Sequence, residues 1–182
     1  MRKQVLLTAG LAVVIGLGTY LYAENNARES AGPSPADTQT LKQLVHDYSN
    51  RSITAESASI SSTELIVKES GGTSATYSLP GDEFFVSIAP YVNKTHPCAT
   101  HSLTGCQGEM VEQEFNISVQ DAEGNPVMDN ETVKSQPNGF IDLWLPRDKT
   151  YHVTIEQNGK KAESDISTFE KNDTCVTTMQ LG

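Results

Sequence analysis

Positive charge is scarce in this chain. Thirteen lysines and arginines stand against 23 acidic residues, for a formal net charge of -10. Arg2 and Lys3 belong to the first few residues, so the remainder is more acidic still. Such a surface repels phosphate backbones, and no basic stripe compensates, so nucleic acid is not an expected partner. Phosphate-cradling glycine loops are missing as well, because Gly71-Gly72 has neither a lysine nor a helical pattern after it. Cys98 and His101 sit on one short stretch with no third group to orient the histidine, so no enzyme activity is expected. Cysteines number only three, and none closely follows the apolar N-terminal run, which leaves a lipoprotein anchor without an attachment point.

Met1-Arg2-Lys3 makes a short basic start, and residues 5–23 are almost wholly apolar with no acidic residue. Residues 1–23 therefore read as an export signal. Ala23 suits a cleavage site, whereas Leu21 does not match the small-residue pattern. The run is near the lower length limit for spanning a bilayer, so residues 5–23 are either a signal peptide or a membrane tether. In both cases the rest of the chain faces an extracytoplasmic space, the periplasm or the outer face of the cytoplasmic membrane. Residues 24–37 contain Gly32-Pro33 and Pro35 without a hydrophobic period and read as a flexible linker.

One stretch has a helical period. Leu41, Leu44, Val45 and Tyr48 recur at i, i+3, i+4, i+7, with Asp37 or Thr38 as N-cap and an end near Asn50. His46 points away from that stripe and is expected in solvent. Strand patterns follow: Leu65-Ile66-Val67 and residues 75–79 flank Gly71-Gly72, and residues 83–89 lead into the cysteine segment. Phe115, Ile117 and Val119 then alternate with polar residues. Turns at residues 121–126, Asn138-Gly139, 146–149 and Asn158-Gly159 separate further strands, the last predicted over residues 175–181. There, Cys175, Thr177, Met179 and Leu181 are expected on one face. His152 falls opposite Tyr151, Val153 and Ile155 and is read as a surface residue. Trp144 lies opposite Ile141, Leu143 and Leu145, placed to cap an edge or to line a pocket. The turn order, with "D-x-x-G-x-P-V" and a later "N-G", resembles a transthyretin-like β-sandwich, which alone says nothing about activity. The expected fold is mostly β: an antiparallel sandwich over residues 111–182, and a smaller helix-plus-strands part with a metal-binding loop over residues 38–110.

The chemistry concentrates in His96-Pro97-Cys98-Ala99-Thr100-His101 and Cys106, with Cys175 far downstream. Soft sulfur and imidazole donors suit Cu(I) or Zn(II) far better than Mg or Ca. Pro97 holds His96 extended and glycines bracket Cys106, so the stretch reads as a loop, with a turn at Thr100 returning His101 toward Cys98. Three readings follow. Exported domains use cysteines for disulfides, and one structural bridge comes first on count alone. The odd cysteine then needs a partner, a ligand or a reason. Structural zinc ranks last: His96 and His101 have a permitted H-x4-H spacing, but the tight cysteine pair that accompanies it is missing. A copper site would draw on all three cysteines, with Met110, Met179, His96 and His101 as auxiliary donors.

The residues themselves reorder those readings. "C-A-T-H-S-L-T-G-C-Q-G-E" over residues 98–109, followed by "D-T-C-V-T-T-M" over residues 173–179, resembles the CueP family of periplasmic copper-binding proteins. The resemblance implies a copper-sequestering protein of the cell envelope that binds Cu(I) through Cys98, Cys106 and Cys175, while the donor types alone also allow zinc. It further implies copper tolerance, copper supply to an extracytoplasmic enzyme such as superoxide dismutase, and a thiol-disulfide reductase partner, since a disulfide between two of the cysteines abolishes binding. The pairing of such a disulfide stays open. His96, His101, Met110 and Met179 are additions from residue chemistry. Transfer by ligand exchange is expected if Cys98 and Cys106 move with the loop while Cys175 stays fixed on its strand. The competing reading is a disulfide-stabilised transthyretin-like scaffold or adhesion module.

Overall fold

A computed structural model describes residues 35–182, so the expected signal peptide or membrane tether lies outside the described residues. Helix α1 (Pro35–Ser49) comes first. Proline fits a first helical turn because its N–H would be unpaired there anyway. Starting at Pro35, the helix takes in the end of the expected linker. Asp37 thus lies within the first turn instead of capping it, where its charge still suits the positive end of the helix. Leu41, Val45 and Tyr48 are buried and His46 is exposed, as the stripe predicts.

Eleven strands follow among the described residues. β1 (Ser57–Ile60), β2 (Glu64–Lys68), β3 (Ser74–Ser78) and the two-residue β5 (His101–Ser102) form one antiparallel sheet in the order β3-β2-β1-β5. A second sheet runs β10-β9-β6-β7, from β6 (Glu114–Asp121), β7 (Pro126–Lys134), β9 (Thr150–Gln157) and β10 (Lys160–Ser167). The third is three-stranded, β11-β4-β8, built from β4 (Glu83–Ile88), β8 (Ile141–Pro146) and β11 (Cys175–Val176). The chain is thus mostly β, with antiparallel strand pairing throughout except between β11 and β4, and one described helix.

The three-stranded sheet is the middle layer. Phe84, Val86 and Ile88 of β4, with Ile141, Leu143 and Leu145 of β8, pack against Phe115, Ile117, Val119, Tyr151, Val153 and Ile155. Phe85 points the other way, into a second core with Leu41, Val45, Tyr48, Ala58, Ile60, Leu65 and Val67. A strand buried on both faces needs a near-continuous apolar run, and Phe84-Phe85-Val86 supplies it. Trp144 meets Phe85 edge-on at 5.1 Å between ring centres and lies under Lys42 of α1, so it occupies the seam between the layers.

Three expectations change here. Residues 38–110 and 111–182 do not separate in space, because β4 belongs to the sandwich through its pairing with β8. The last strand is only two residues long and pairs parallel with β4, and an isolated bridge between Tyr91 and Gln180, beyond both strands, is parallel as well. Cys175 and Met179 also do not share a face: Cys175 packs with Ala89 and Phe140, whereas Met179 enters the sandwich core. Burial still alternates, with Cys175, Thr177, Met179 and Leu181 all buried, but the chain leaves strand geometry after Val176 and the buried side turns from the cysteines to the sandwich core.

Replacing Phe84 or Phe85 by alanine removes a fully buried ring at about 3–5 kcal/mol each. Trp144 reports the helix-side core, so its fluorescence is expected to show a single urea transition that both variants shift. A separate transition moved by only one of them would show that the two cores unfold independently.

Candidate metal centre

The middle sheet sets three polar side chains in a row. Ser87 of β4 is in register with Cys175 on one side and Asp142 on the other. All three face away from the sandwich core, because Val86 and Ile88 take the opposite face. The cysteine loop lies over this row. Thr95 donates from Oγ1 to the Thr177 carbonyl at 2.6 Å, and the Ala99 carbonyl accepts from the N–H groups of Thr174 and Cys175 at 3.0 Å each. The His101 N–H donates to Thr174 Oγ1 (3.0 Å), which itself donates to the Ile60 carbonyl (2.7 Å). The loop is therefore stitched to the sheet at several points on both sides of Cys98.

Those constraints converge on four donors. Cys98, His101, Cys106 and Cys175 bring one ligand atom each to within 4.8 Å of one another. Cys98 and Cys175 form a disulfide with a Cα–Cα distance of 5.6 Å. Cys106 keeps a free thiol, its Sγ 3.5 Å from that of Cys98. His101 Nδ1 lies 3.4 Å from Cys175 Sγ. Only two of the four donors, Cys106 and His101, are free while the bridge stands. Adding two electrons and two protons to the bridge would present three sulfurs and an imidazole, a set suited by donor type to Cu(I) or zinc.

The His101 ring is fully buried, 4.5 Å from the Phe140 ring centre. Burial, reinforced by nearby His96, pushes its pKa down to about 3, so the ring is neutral with one nitrogen lone pair to offer. Its Nε2 lies 3.3 Å from Ser87 Oγ. Ser87 Oγ donates to Asp142 Oδ1 at 2.6 Å, and Gln136 Nε2 donates to Asp142 Oδ2 at 3.0 Å. Burial raises the Asp142 pKa, while Ser49, Ser87 and Gln136 oppose the rise.

The other sequence candidates lie outside this cluster. His96 is half-buried beside Phe140, with Nδ1 3.2 Å from the Pro97 carbonyl and a buried Nε2 that has no partner. The H-x4-H pair is thus not assembled with the sulfurs. Met110 packs against the sandwich core and Met179 is buried within it.

Sequence reasoning missed Ser87, Asp142 and Thr174. The available signal was polarity inside apolar strands, since a serine in Phe84-Phe85-Val86-Ser87-Ile88 and an aspartate in Ile141-Asp142-Leu143 each need a buried partner. It also missed two devices that hold the loop ends. Glu109 accepts from the N–H groups of Val92 and Asn93 at 2.6 and 2.9 Å, tying the far end of the loop to its start. These bonds, led by that from Asn93, hold the Glu109 pKa down to about 2. Gly108 and Gly139 cross so closely that a Cβ on Gly139 would sit 2.7 Å from the Gly108 oxygen, and Gly139 has φ +80°.

The profile of the family described as periplasmic copper-binding protein CueP matches residues 39–180, a span that contains all four donors. The chain belongs to the CueP family. The crystal structure of S.CueP is similar to it, with 38% sequence identity and a TM-score of 0.72, over 78% of this chain and 88% of that one. Among curated proteins, none matches the chain. Membership makes the cysteine cluster part of a copper-binding family that is periplasmic.

Two outcomes follow from the geometry of this CueP-family site. Gly139→Ala adds both a clash and left-handed strain. It is expected to destabilise the protein by about 1–3 kcal/mol in urea unfolding, whereas Gly124→Ala, with open space around it, is expected to cost less. Acid sensitivity follows from His101. Below the ordinary value of 6.5 the unfolded chain takes up a proton there that the folded chain refuses down to about pH 3. Stability is therefore lost as pH falls through that interval, by about 1.4 kcal/mol per unit. The copper-free His101→Gln variant is expected to show a shallower fall in urea midpoint between pH 6.5 and 3; a slope equal to the parent's would mean that the folded ring protonates.

Proposed function

We propose that this CueP-family protein sequesters Cu(I) through the thiolates of Cys98, Cys106 and Cys175 and the Nδ1 of His101, in an extracytoplasmic compartment. The observation that carries the reading is the convergence of four donors, from two separate chain segments, within 4.8 Å. Three sulfurs favour Cu(I) over Cu(II), and a neutral imidazole is a fitting auxiliary donor. Zinc accepts the same donor types, and membership of a copper-binding family favours copper.

Bridge and ion compete for the same two sulfurs, so the Cys98–Cys175 disulfide must be reduced before copper is held. A thiol-disulfide reductase is the proposed partner. A cleft of about 230 Å³, lined by Cys98 and Cys175 with Asp165, Asn172, Asp173 and Thr177, gives it access to the bridge. Cys98 and Cys106 are partly exposed, whereas Cys175 and His101 are buried. Ligand exchange toward an acceptor therefore starts at the loop sulfurs, which suits delivery to an extracytoplasmic copper enzyme such as superoxide dismutase. Holding free copper low in this way would contribute to copper tolerance.

One observation favours a purely structural role: the bridge closes a separation of 77 residues, worth about 4.5 kcal/mol in the chain-entropy model. A staple, however, has no use for a free thiol 3.5 Å from its own sulfur or for a buried imidazole beside the other.

Thiol counting with Cu(I) titration against a competing chelator separates the two readings. The disulfide form should show one free thiol and no tight Cu(I) binding. The reduced form should show three thiols and tight binding, weakened at least about tenfold by each of Cys98→Ser, Cys106→Ser and Cys175→Ser. Reduced protein that does not compete for Cu(I), or a Cys106→Ser variant that binds like the parent, would sink the copper reading.

A further inference from the structure

We infer that Ser87 and Asp142 are positioning residues that fix which nitrogen of His101 faces the sulfur cluster. The argument runs from the single proton on the Ser87 hydroxyl. With Asp142 ionised, that proton goes to its carboxylate at the short separation of 2.6 Å, whereas a protonated Asp142 would donate to Ser87 and give the opposite tautomer. Ser87 Oγ is left with a lone pair facing His101 Nε2 at 3.3 Å, a contact that is attractive only if Nε2 carries the ring proton. A neutral imidazole has one such proton, so Nδ1 is left with its lone pair. It is Nδ1 that lies 3.4 Å from Cys175 Sγ.

The opposite tautomer is disfavoured by the same row of groups. With the proton on Nδ1, the Nε2 lone pair would face the Ser87 oxygen. Ser87 could respond only by turning its proton away from Asp142, leaving a carboxylate oxygen without its donor. A disulfide sulfur at Nδ1 is too weak an acceptor to offset that. The backbone holds the row independently of the histidine, because Ser87 and Asp142 are register partners on β4 and β8 and Gln136 grips the second carboxylate oxygen. Outer partners of this kind set the tautomer and orientation of ligating histidines, and their loss typically lowers metal affinity about 10–100-fold.

This inference rests on the proposed Cu(I) reading for its purpose but not for its first measurement. Long-range hydrogen–nitrogen correlation NMR on the copper-free, disulfide-bonded protein should show His101 protonated on Nε2. Ser87→Ala should release the lock and populate the Nδ1-protonated form, while Ser87→Thr, which keeps the hydroxyl, should retain the parent tautomer. In the reduced proteins Ser87→Ala should bind Cu(I) about 10–100-fold more weakly than the parent, with three titratable thiols retained and Ser87→Thr restoring affinity. Asp142→Asn provides a second route to the same loosened ring if Ser87→Ala fails to fold. A parent protein protonated on Nδ1, or a folded Ser87→Ala with the parent tautomer, overturns the inference. An Nε2-protonated parent that loses its lock in Ser87→Ala, but whose reduced form binds no Cu(I), upholds the lock and overturns the copper reading instead.

Discussion

The molecule depends on the burial of one strand on both faces. β4 places Phe84, Val86 and Ile88 in the sandwich core and Phe85 in the core under α1, so neither core is complete without it. The same strand carries Ser87, the single polar residue of its Phe84–Ile88 run, and brings Cys175 and Asp142 alongside through its two neighbours. Core and candidate metal centre are thus two faces of one element. A fully buried apolar side chain contributes roughly 1.5–3 kcal/mol, and that stabilisation holds in place a polar row that would otherwise be unfavourable to bury.

The polar row is where the fold departs from simple apolar packing. Buried carboxyl, hydroxyl and imidazole groups need complete hydrogen bonding, and a partly satisfied network is worse than an apolar core. Asp142 receives Ser87 and Gln136, Ser87 meets His101, and Thr174 receives the His101 N–H while donating to Ile60. The ring nitrogen facing Cys175 has no strong partner, only a sulfur at 3.4 Å. Gln136 Oε1 is likewise buried without a partner, and incomplete positions in a buried polar network are expected where a protein gives up local consistency for function.

Local pattern was legible in the residues, and register was not. The period of Leu41, Val45 and Tyr48 and the alternation of Phe115, Ile117 and Val119 follow directly from the 3.6 and 2.0 repeats, and the structure buries them accordingly. Prolines and turn glycines marked most boundaries. The partner of Cys98, by contrast, depends on where β11 lies beside β4, a contact closed across 77 residues with no local trace. Spacing alone left Cys106, eight residues away, as good a partner. Met179 keeps the buried side of the alternation, but strand geometry ends at Val176 and that side turns into the sandwich core. His101 and His96 look equivalent as residues; one sits on β5 against the sheet and the other outside it, a difference made by the pairing of Ile60 with His101.

On the proposed reading, the geometry makes copper and the disulfide mutually exclusive without refolding. Cys98 and Cys175 are held 5.6 Å apart at Cα by Ala99, whose carbonyl accepts from the Thr174 and Cys175 backbones, so opening the bridge leaves both thiols beside Cys106 and His101. An ion bound only by the reduced form stabilises that form by RT ln(1 + [Cu]/Kd). Each tenfold rise of copper above Kd is then worth about 1.4 kcal/mol, or about 30 mV on a two-electron couple, against closing the bridge. Copper would protect its own site from oxidation. Loss of the ion leaves Cys98 and Cys175 as neighbouring thiols; a two-electron oxidant then recloses the bridge, with Cys106 left as the one thiol through which the next exchange can begin.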